Sequence, residues 1–365
     1  MRFPEFQEEW YETEIKNILK IGSGRDYKHL ETGNIPVFGT GGYMTSINDF
    51  LYDGESVCIG RKGTINKPFY LKGKFWTVDT LFYTYSYKNV QPKFLFYTFE
   101  QINWLKYNEA SGVPSLSKST IETILIAIPK KEEQDKIATF LSLIDERIET
   151  QNKIIEKLES LIKGLSNRLF CECFVNEKLI TLKSISSAIN RRNDEKEDYP
   201  IMMIAAEHGF INQSEKYSGD NAGNSLSKYT LLKQGELAYN RGSSRNKKYG
   251  SVFFLNYPNA LVPYVYHSFK MNSQICDVIF YAYLLNSKLL NKELRKIISS
   301  TARMDGLLNI SKEDFFSIKV PLPKLEKQQL ISTSLNKLMQ KTKLEKDVVT
   351  KYQKQKQYIL QQMFI

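Results

Sequence analysis

The sequence of 365 residues is 42% hydrophobic and 25% charged, a balance that excludes intrinsic disorder and predicts a folded protein. Its four cysteines (Cys58, Cys171, Cys173 and Cys276) lack the spacing of a disulfide framework or a zinc site, which indicates a reducing, cytoplasmic compartment. No signal peptide opens the sequence, and no apolar stretch approaches the ~18 residues of a membrane span. The net charge of +11 lies entirely within residues 171–365 and favours a polyanionic partner.

Residues 1–128 alternate short apolar stretches with many turns, which predicts a mixed α+β domain. After Gly54, the apolar alternation of Val57 and Ile59 predicts a buried strand that enters a tight, basic loop. A glycine-rich loop at 39–43 precedes it, and both loops are candidates for contact with nucleic acid. The candidate side chains are Thr40, Tyr43, Arg61, Lys62 and Lys67. A solvated charged loop remains the alternative for the basic pair.

Residues 129–170 predict one long helix that begins after Pro129, because proline ends a strand but starts a helix well. The apolar residues step by four and three, the heptad spacing of a helix that pairs with another helix. The predicted pairing positions are Ile137, Leu141, Ile144, Ile148, Gln151, Ile155, Leu158, Ile162 and Leu165. At ~1.5 Å per residue such a helix spans roughly 60 Å, more than the core of a small domain requires.

Residues 171–321 predict a second mixed α+β domain with the same order of signals as the first. Gly235 and Glu236 again precede an apolar alternation, which enters a basic and polar loop. Asn and Arg can read adenine and guanine edges through paired hydrogen bonds, whereas Ser and Lys suit phosphates. The candidate nucleic-acid contacts are Asn240, Arg241, Ser243, Ser244, Arg245, Asn246, Lys247 and Lys248. A solvated charged loop is again the alternative.

Residues 322–365 predict a second long helix with a net charge of +6 and a less regular apolar seam. Its predicted pairing positions are Leu335, Leu338, Glu345, Val349, Tyr352 and Ile359. Two helices of this length in one chain most simply pack on each other, and antiparallel packing places one domain at each end. Gln151 and Glu345 then fall near the middle, where polar residues can fix the register. Two separate, solvent-exposed helices are the alternative.

The sequence repeats itself without gaps at an offset of 194 residues. Pro129 matches Pro323 and Gln134 matches Gln328, and the apolar stretches before each proline also correspond. The fold prediction is therefore α+β, as a pseudo-twofold internal duplication. Two mixed α/β domains are separated by two long helices that pair as an antiparallel coiled coil, with boundaries at 1–128, 129–170, 171–321 and 322–365.

No group of residues in the sequence converges on a catalytic, metal or cofactor site. The three histidines, His29, His208 and His267, are isolated, and a lone histidine is more often structural than catalytic. The glycine-rich segment at 22–25 lacks the lysine and the spacing of a phosphate-binding P-loop. The sequence therefore predicts a binding protein without chemistry of its own.

The chain resembles the specificity (S) subunits of type I restriction–modification systems over essentially its whole length. The resemblance rests on two variable domains that alternate with two long helices. Each helix is introduced by an apolar strand, a proline and a Glu-x-Gln signal, here Pro129 to Gln134 and Pro323 to Gln328. Short segments that also resemble such target-recognition domains are Ile59-Gly60-Arg61-Lys62-Gly63 and Tyr239-Asn240-Arg241.

The resemblance implies a non-catalytic subunit that reads a bipartite double-stranded DNA target, one half with each target-recognition domain. It also implies two methyltransferase (modification) subunits that bind the paired helices and carry S-adenosylmethionine, and restriction subunits that use ATP. The chain itself would need no cofactor. A stand-alone duplicated DNA-binding or architectural protein, a coiled-coil scaffold without a DNA role, and a fused enzyme remain alternatives.

Overall fold

The computed structural model describes residues 2–193, 198–206, 209–215, 228–244, 247–298 and 307–364 of the chain. The chain divides into two compact units: unit 1 is Met1–Lys153 with Lys346–Ile365, and unit 2 is Ile154–Glu345. Unit 1 is therefore discontinuous in sequence, whereas unit 2 is one continuous stretch. No helix in the described ranges is long and apolar enough to cross a membrane.

Unit 1 is built on a six-stranded sheet. The elements before the first long helix are β1 (Tyr11–Glu14), α1 (Ile15–Ile18), β2 (Lys20–Ser23), β3 (Thr32–Gly39), β4 (Gly42–Ile47), β5 (Tyr52–Gly60), β6 (Phe69–Thr77), β7 (Leu81–Tyr85), α2 (Pro92–Gln101), α3 (Lys118–Glu122) and β8 (Leu125–Ile128). The sheet order is β2-β7-β5-β6-β3-β4, and β3 and β6 form its parallel pair. β5 lies inside the sheet and is fully buried in its second half, as its apolar alternation predicts.

The first long helix, α4, runs from Lys131 to Asn176, a length of 46 residues. It begins two residues after Pro129, because β8 ends at Ile128 and the proline separates the strand from the helix. β8 pairs with β1 in a separate antiparallel ribbon, so the entry to α4 is tied to the beginning of the chain.

Unit 2 repeats this plan with smaller sheets. The elements after α4 are β9 (Leu179–Thr181), α5 (Leu182–Ile185), β10 (Ser186–Ala188), β11 (Met202–Ala205), β12 (Gly209–Asn212), β13 (Thr230–Lys233), β14 (Leu237–Asn240), β15 (Ser251–Phe254), β16 (Asn259–Val262), β17 (His267–Met271), α6 (Val278–Leu285), α7 (Lys288–Ile297), α8 (Lys312–Ser317), β18 (Lys319–Pro321) and α9 (Leu325–Met363). A four-stranded sheet has the order β10-β17-β14-β15, and β18 pairs with β9 as β8 does with β1. The second long helix, α9, has 39 residues.

Each unit builds its core from opposite ends of the two long helices. In unit 1, Leu141 near the beginning of α4 lies in the same hydrophobic core as Met363 at the end of α9. In unit 2, Phe170 near the end of α4 lies in the same hydrophobic core as Leu335 near the beginning of α9. The two helices therefore run antiparallel. The predicted α+β fold, with two mixed α/β domains and two long helices packed together, is confirmed.

Phe170, near the end of α4, and Phe364, directly after α9, pack into these two cores in the same way. In unit 1 the ring of Phe364 lies 5.5 Å from the ring of Phe94 on α2. In unit 2 the ring of Phe170 lies 5.7 Å from the ring of Phe280 on α6. Phe170 and Phe364 match at the 194-residue offset of the repeat. Aromatic contacts of this kind add packing energy beyond the area they bury, so they help to hold each helix end in its domain.

Candidate nucleic-acid interface

The basic loop after β5 is held by backbone hydrogen bonds on both sides. The N–H groups of Arg61 and Lys62 both donate to the carbonyl of Thr80, at 2.8 and 3.3 Å. On the other side the N–H of Leu116 donates to the carbonyl of Arg61 at 2.9 Å. Gly63 closes the turn at φ +95°, a conformation that glycine adopts without strain. The exposed side chains of Arg61 and Lys62 therefore project from a rigid frame.

The side chain of Arg61 is exposed but oriented. Its Nη1 donates to the carbonyl of Asp79 at 3.3 Å, and its guanidinium carbon lies 5.8 Å from the centroid of the Phe82 ring. Arg61 and Lys62 line a cleft of about 810 Å³ whose other charged residues are Asp79, Glu109 and Lys118. The cleft combines basic donors, which suit phosphates and guanine edges, with carboxylate acceptors, which suit the amino groups of bases.

Glu109 in this cleft was not predicted from the sequence. Its carboxylate accepts hydrogen bonds from the hydroxyl groups of Thr120 and Ser117, which hold the pKa of Glu109 below its usual range. Ser117 also accepts from the N–H of Thr120 at 3.1 Å and so caps α3. Ser117 recurs as Ser311 in the sequence repeat, so the start of this helix could be predicted. Nothing in the neighbouring sequence indicates that Glu109 contacts Ser117.

The glycine-rich loop forms the hairpin between β3 and β4, beside the basic loop. Gly42 has φ +102°, and Gly39 pairs with Gly42 across the turn. A Cβ atom built on Gly63 would lie 3.5 Å from Oγ1 of Thr40, so the two predicted loops are neighbours. Tyr43 is 63% exposed on the hairpin, with its hydroxyl 3.0 Å from Ser46 Oγ. Lys67 lies exposed between the basic loop and β6.

In unit 2, Asn240 shapes the backbone of the loop after β14. Its Oδ1 accepts from the N–H of Gly242 at 2.9 Å, which closes a turn of the kind that Asn favours. Its Nδ2 donates to the carbonyl of Ile204 at 3.2 Å. The side-chain oxygen and nitrogen of Asn240 are thus both used within the domain.

Arg241 has the same backbone position as Arg61 but a different side-chain environment. The N–H of Leu308 donates to the carbonyl of Arg241 at 3.0 Å, as Leu116 does to Arg61. Unlike Arg61, Arg241 is half-buried, and it donates through Nε to the carbonyl of Val265 at 3.2 Å and through Nη1 to the carbonyl of Ile310 at 3.3 Å. These bonds make Arg241 a positioning residue of the loop, and its predicted contact with a base stays a prediction.

Two hydrogen bonds join the serines of the predicted loop to the lysines that follow them. Ser244 Oγ accepts from the N–H of Lys247 at 3.1 Å, and Ser243 Oγ donates to the carbonyl of Lys248 at 3.2 Å. Ser243, Ser244 and Lys248 are exposed, and Lys247 is half-buried. The two remaining candidates, Arg245 and Asn246, lie outside the described residues.

His267 has a structural environment, as expected for an isolated histidine. Its side chain is buried, and Nε2 lies 3.1 Å from the carbonyl of Ile310. Burial lowers the pKa of His267 to about 4, because the charged imidazolium is poorly solvated there. His29 is exposed, and its ring lies 6.3 Å from that of Trp76; His208 lies outside the described residues. In the described ranges, no group of three or more His, Cys, Asp and Glu side chains is placed to hold a metal ion.

The predicted pairing positions of unit 1 lie on the inner faces of the long helices. Ile137, Leu141 and Ile359 are buried in one core, and Ile144 packs against that core. Val349 is buried, and Ile148, Gln151 and Tyr352 are half-buried. Arg147 donates through Nη1 to the Tyr352 hydroxyl at 2.9 Å, a direct bond between α4 and α9.

The pairing positions of unit 2 follow the same pattern. Leu335 is buried in the core of the unit, and Leu165 packs against that core. Ile155 is also buried, whereas Leu158, Ile162, Leu338 and Glu345 are half-buried. Thr342, a polar residue between Leu338 and Glu345 in the less regular second seam, is only 6% exposed and donates to the carbonyl of Leu338. A threonine can therefore occupy a seam position, because its hydroxyl is satisfied by its own helix.

Comparison with known proteins finds a matching family model and similar proteins and structures. The family model described as "Type I restriction modification DNA specificity domain" matches residues 7–160 and again residues 177–351. The type I restriction enzyme MjaVIII specificity subunit of Methanocaldococcus jannaschii is 29% identical over 348 residues, which cover 83% of this chain and 75% of that protein. The crystal structure of a type I restriction–modification S subunit from M. genitalium superposes with a TM-score of 0.68 at 17% identity, over 100% of this chain and 99% of that one.

The chain therefore belongs to the type I restriction–modification DNA specificity family and carries the family's domain twice. It is a recognition subunit of a type I system, which recognises a DNA target and has no catalytic role of its own. The resemblance that the repeat and the Glu-x-Gln signals indicate is thus confirmed.

Proposed function

We propose that each unit reads one half of a bipartite double-stranded DNA target. The observation that carries this proposal is a shared backbone frame under two different loops. A leucine N–H donates to the carbonyl of the arginine that follows the central strand in each unit, Leu116 to Arg61 and Leu308 to Arg241. One frame with different side chains suits two readers that address different base sequences.

In unit 1 the proposed DNA contacts come from the cleft and the adjacent hairpin. Arg61, held over Phe82, is the candidate for a guanine edge, and Asp79 offers an acceptor in the same cleft. Lys62 and Lys67 are candidates for phosphates, and Thr40 and Tyr43 lie on the neighbouring hairpin. Phosphate contacts position the protein, whereas contacts with base edges select the sequence.

In unit 2 the exposed candidates are Ser243, Ser244 and Lys248. Asn240 and Arg241 would set the shape of this loop through their bonds to the domain backbone. Arg245 and Asn246 complete the set of candidates by sequence. Specificity at the second half-site would then depend on the conformation of the loop as much as on any single side chain.

We further propose that two methyltransferase subunits bind the outer faces of the long helices and that restriction subunits join the assembly. Large apolar side chains are exposed on both helices, which marks surfaces suited to a protein partner. In unit 1 they include Phe140 and Leu143, at 38% and 56% exposure, and in unit 2 Leu161 and Leu344, at 54% and 65%. S-adenosylmethionine and ATP would be carried by these partners, in the cytoplasm where such systems act on DNA.

An exchange of recognition segments tests the proposal. Residues 1–128 are replaced by the corresponding segment of a relative with a different target, and the methylated sites in cells that carry the complete system are sequenced. One half-site should change, while the other half-site and the spacer between them stay the same. The matched exchange of residues 171–321 should change the opposite half-site. A change of both half-sites in either chimera would show that the units do not read independently.

A further inference from the structure

A cavity of about 390 Å³ lies within unit 2, between the end of the basic loop, α4, the start of α7 and α9. Lys247 and Lys248 come from the loop, Lys163 from α4 and Lys288 from the first turn of α7. Among the described residues that line it, none is acidic. Four positive charges around one cavity produce a local potential that favours an anion.

The corresponding place in unit 1 has the opposite electrostatic character. Counted from the equivalent residues Gln134 and Gln328, Asp145 of α4 corresponds to Met339 of α9, and Lys356 of α9 corresponds to Ile162 of α4. In unit 1, Lys356 Nζ lies 2.8 Å from Asp145 Oδ1 and 3.0 Å from Glu100 Oε2, so its charge is compensated by two carboxylates. Glu100 and Asp145 line a cavity there as well.

In unit 2 that compensation is absent at the equivalent positions. Glu100 corresponds to Asn286, counted from the first residue of α2 and α6, and Asp145 corresponds to Met339. The structural ion cluster of unit 1 is thus replaced in unit 2 by neutral residues, while four lysines surround the cavity. Among the described residues, the charged side chains that line the cavity of unit 2 are therefore all basic.

Uncharged donors complete the cavity. Ser287, at the N-terminal cap of the ten-residue helix α7, lines the cavity and makes no capping bond with its side chain. Its Oγ is buried and has no hydrogen-bond partner among the described residues. The first N–H groups of a helix lack partners within the helix and carry the positive end of its dipole. Lysines, a hydroxyl and a helix N-terminus together provide the donors that a phosphate group needs.

We propose that this cavity is a phosphate-binding site of unit 2, which takes a backbone phosphate of the bound DNA beside the second half-site. The inference rests on the proposed function, because its ligand is supplied by the DNA that the subunit reads. Lys247 and Lys248 belong to the same loop as the exposed serines of the predicted interface, so the loop joins the cavity to the reading surface. The site anchors the DNA and adds no sequence preference.

The test compares two double variants of the full chain in complex with its methyltransferase subunits. Lys163→Gln with Lys288→Gln removes two cavity charges, and Lys178→Gln with Lys183→Gln removes two exposed charges of the same unit outside the cavity. Affinity for a target duplex and for a non-target duplex is measured against salt concentration. The cavity variant should reduce the slope of log K against log salt by about 1 for both duplexes, and the control should leave it unchanged.

A thermal measurement distinguishes DNA from free phosphate as the source of the ligand, and further variants change or keep the charge of the cavity. The thermal midpoint of each complex is measured with inorganic phosphate and with chloride at equal ionic strength. Met339→Asp introduces an acid where unit 1 has Asp145, and it should reduce the salt slope as Lys163→Gln with Lys288→Gln does. Lys163→Arg with Lys288→Arg, which keeps both positive charges, should leave the wild-type slope unchanged.

An unchanged salt slope in the cavity variant, with sequence-specific binding intact, would overturn the phosphate site and leave the proposed function standing. A loss of stabilisation by inorganic phosphate without any change in DNA binding would also overturn it, since the site would then take a free phosphate compound. A wild-type complex without sequence-specific binding would overturn the proposed function itself.

Discussion

Gln134 and Gln328 make the same three hydrogen bonds at the start of the two long helices. Each Nε2 donates to the carbonyl of the proline five residues earlier, at 2.9 and 2.8 Å, and to a second carbonyl of its domain. Each Oε1 accepts from the N–H of an N-cap residue at 2.8 Å, Gln91 of α2 in unit 1 and Asp277 of α6 in unit 2. Both side chains are at most 1% exposed, so water does not substitute for these bonds.

We therefore predict that Gln328→Leu destabilises the protein by about 1–3 kcal/mol. Leucine has a similar volume but removes the partner of the Asp277 N–H and of two carbonyls, of which that of Pro323 is in a buried bond. The free energy of unfolding is measured by urea titration. Gln329→Leu is the matched control, because Gln329 is the next residue on α9 and is exposed. Equal stability of the two variants would contradict the proposal that the buried amide of Gln328 holds the start of α9 against its domain.

Arg61 and Arg241 are expected to respond differently to replacement by alanine. Arg61→Ala should weaken binding of the first half-site by about 1–3 kcal/mol without a change in the thermal midpoint, because its exposed guanidinium makes one bond to the domain. Arg241→Ala should lower the thermal midpoint, because it removes bonds to the carbonyls of Val265 and Ile310. DNA titrations and thermal unfolding of both variants decide the point. Equal loss of stability in the two variants would contradict it.

His267 should make stability depend on pH between its folded and unfolded pKa values. Burial lowers its pKa to about 4 from an ordinary value of 6.5, so the unfolded chain binds the extra proton across this window. Stability is then full above pH 6.5 and is lost as pH falls towards 4, by up to about 3 kcal/mol. Urea titrations at pH 7 and pH 5 measure the loss, which should be smaller in His267→Gln. The same loss in His267→Gln would assign it to other groups, and His29→Gln should behave as wild type.

Lys356 should contribute to stability through the carboxylates it neutralises. Its side chain is only 14% exposed and lies within 3.0 Å of Glu100 and Asp145. Lys356→Met leaves two partly buried carboxylates without a counter-charge and should cost about 2 kcal/mol, less than a fully buried pair because both acids retain some solvent. Unfolding by urea measures the effect. Lys354→Met, an exposed change on the same helix, should have no measurable effect; a similar cost for both would refute the assignment.

Leu344 provides a test of the proposed partner surface. It is 65% exposed on α9, so Leu344→Glu should leave the stability of the isolated chain unchanged. It should weaken the binding of a methyltransferase subunit at least tenfold, because a charge would be desolvated in the apolar contact. Co-purification and titration of the subunits measure the effect. Gln340→Glu, exposed on the same helix, introduces the same charge as a control, and equal weakening by both would indicate a general charge effect.

The parts of the fold that depend on local periodicity could be predicted from the sequence. The long helices and their inner faces follow from the spacing of residues such as Ile137 and Leu141, since a helix repeats every 3.6 residues along its own segment. The cleft beside Arg61 could not be predicted, because Asp79 and Glu109 reach it from distant segments through strand pairing and loop contacts. The inward bonds of Arg241 also depend on distant carbonyls, so its sequence context alone suggested an exposed reader.

The discontinuity of unit 1 has a consequence for the order of folding during synthesis. Phe364 packs against Trp10 and Phe94, with ring centroids 5.9 and 5.5 Å apart, so the core of the first domain is completed by a helix made hundreds of residues later. Unit 2 contains all of its own residues in one stretch. Contacts between such distant segments are entropically expensive and form late. The second unit is therefore expected to fold before the first, against the order in which the ribosome delivers them.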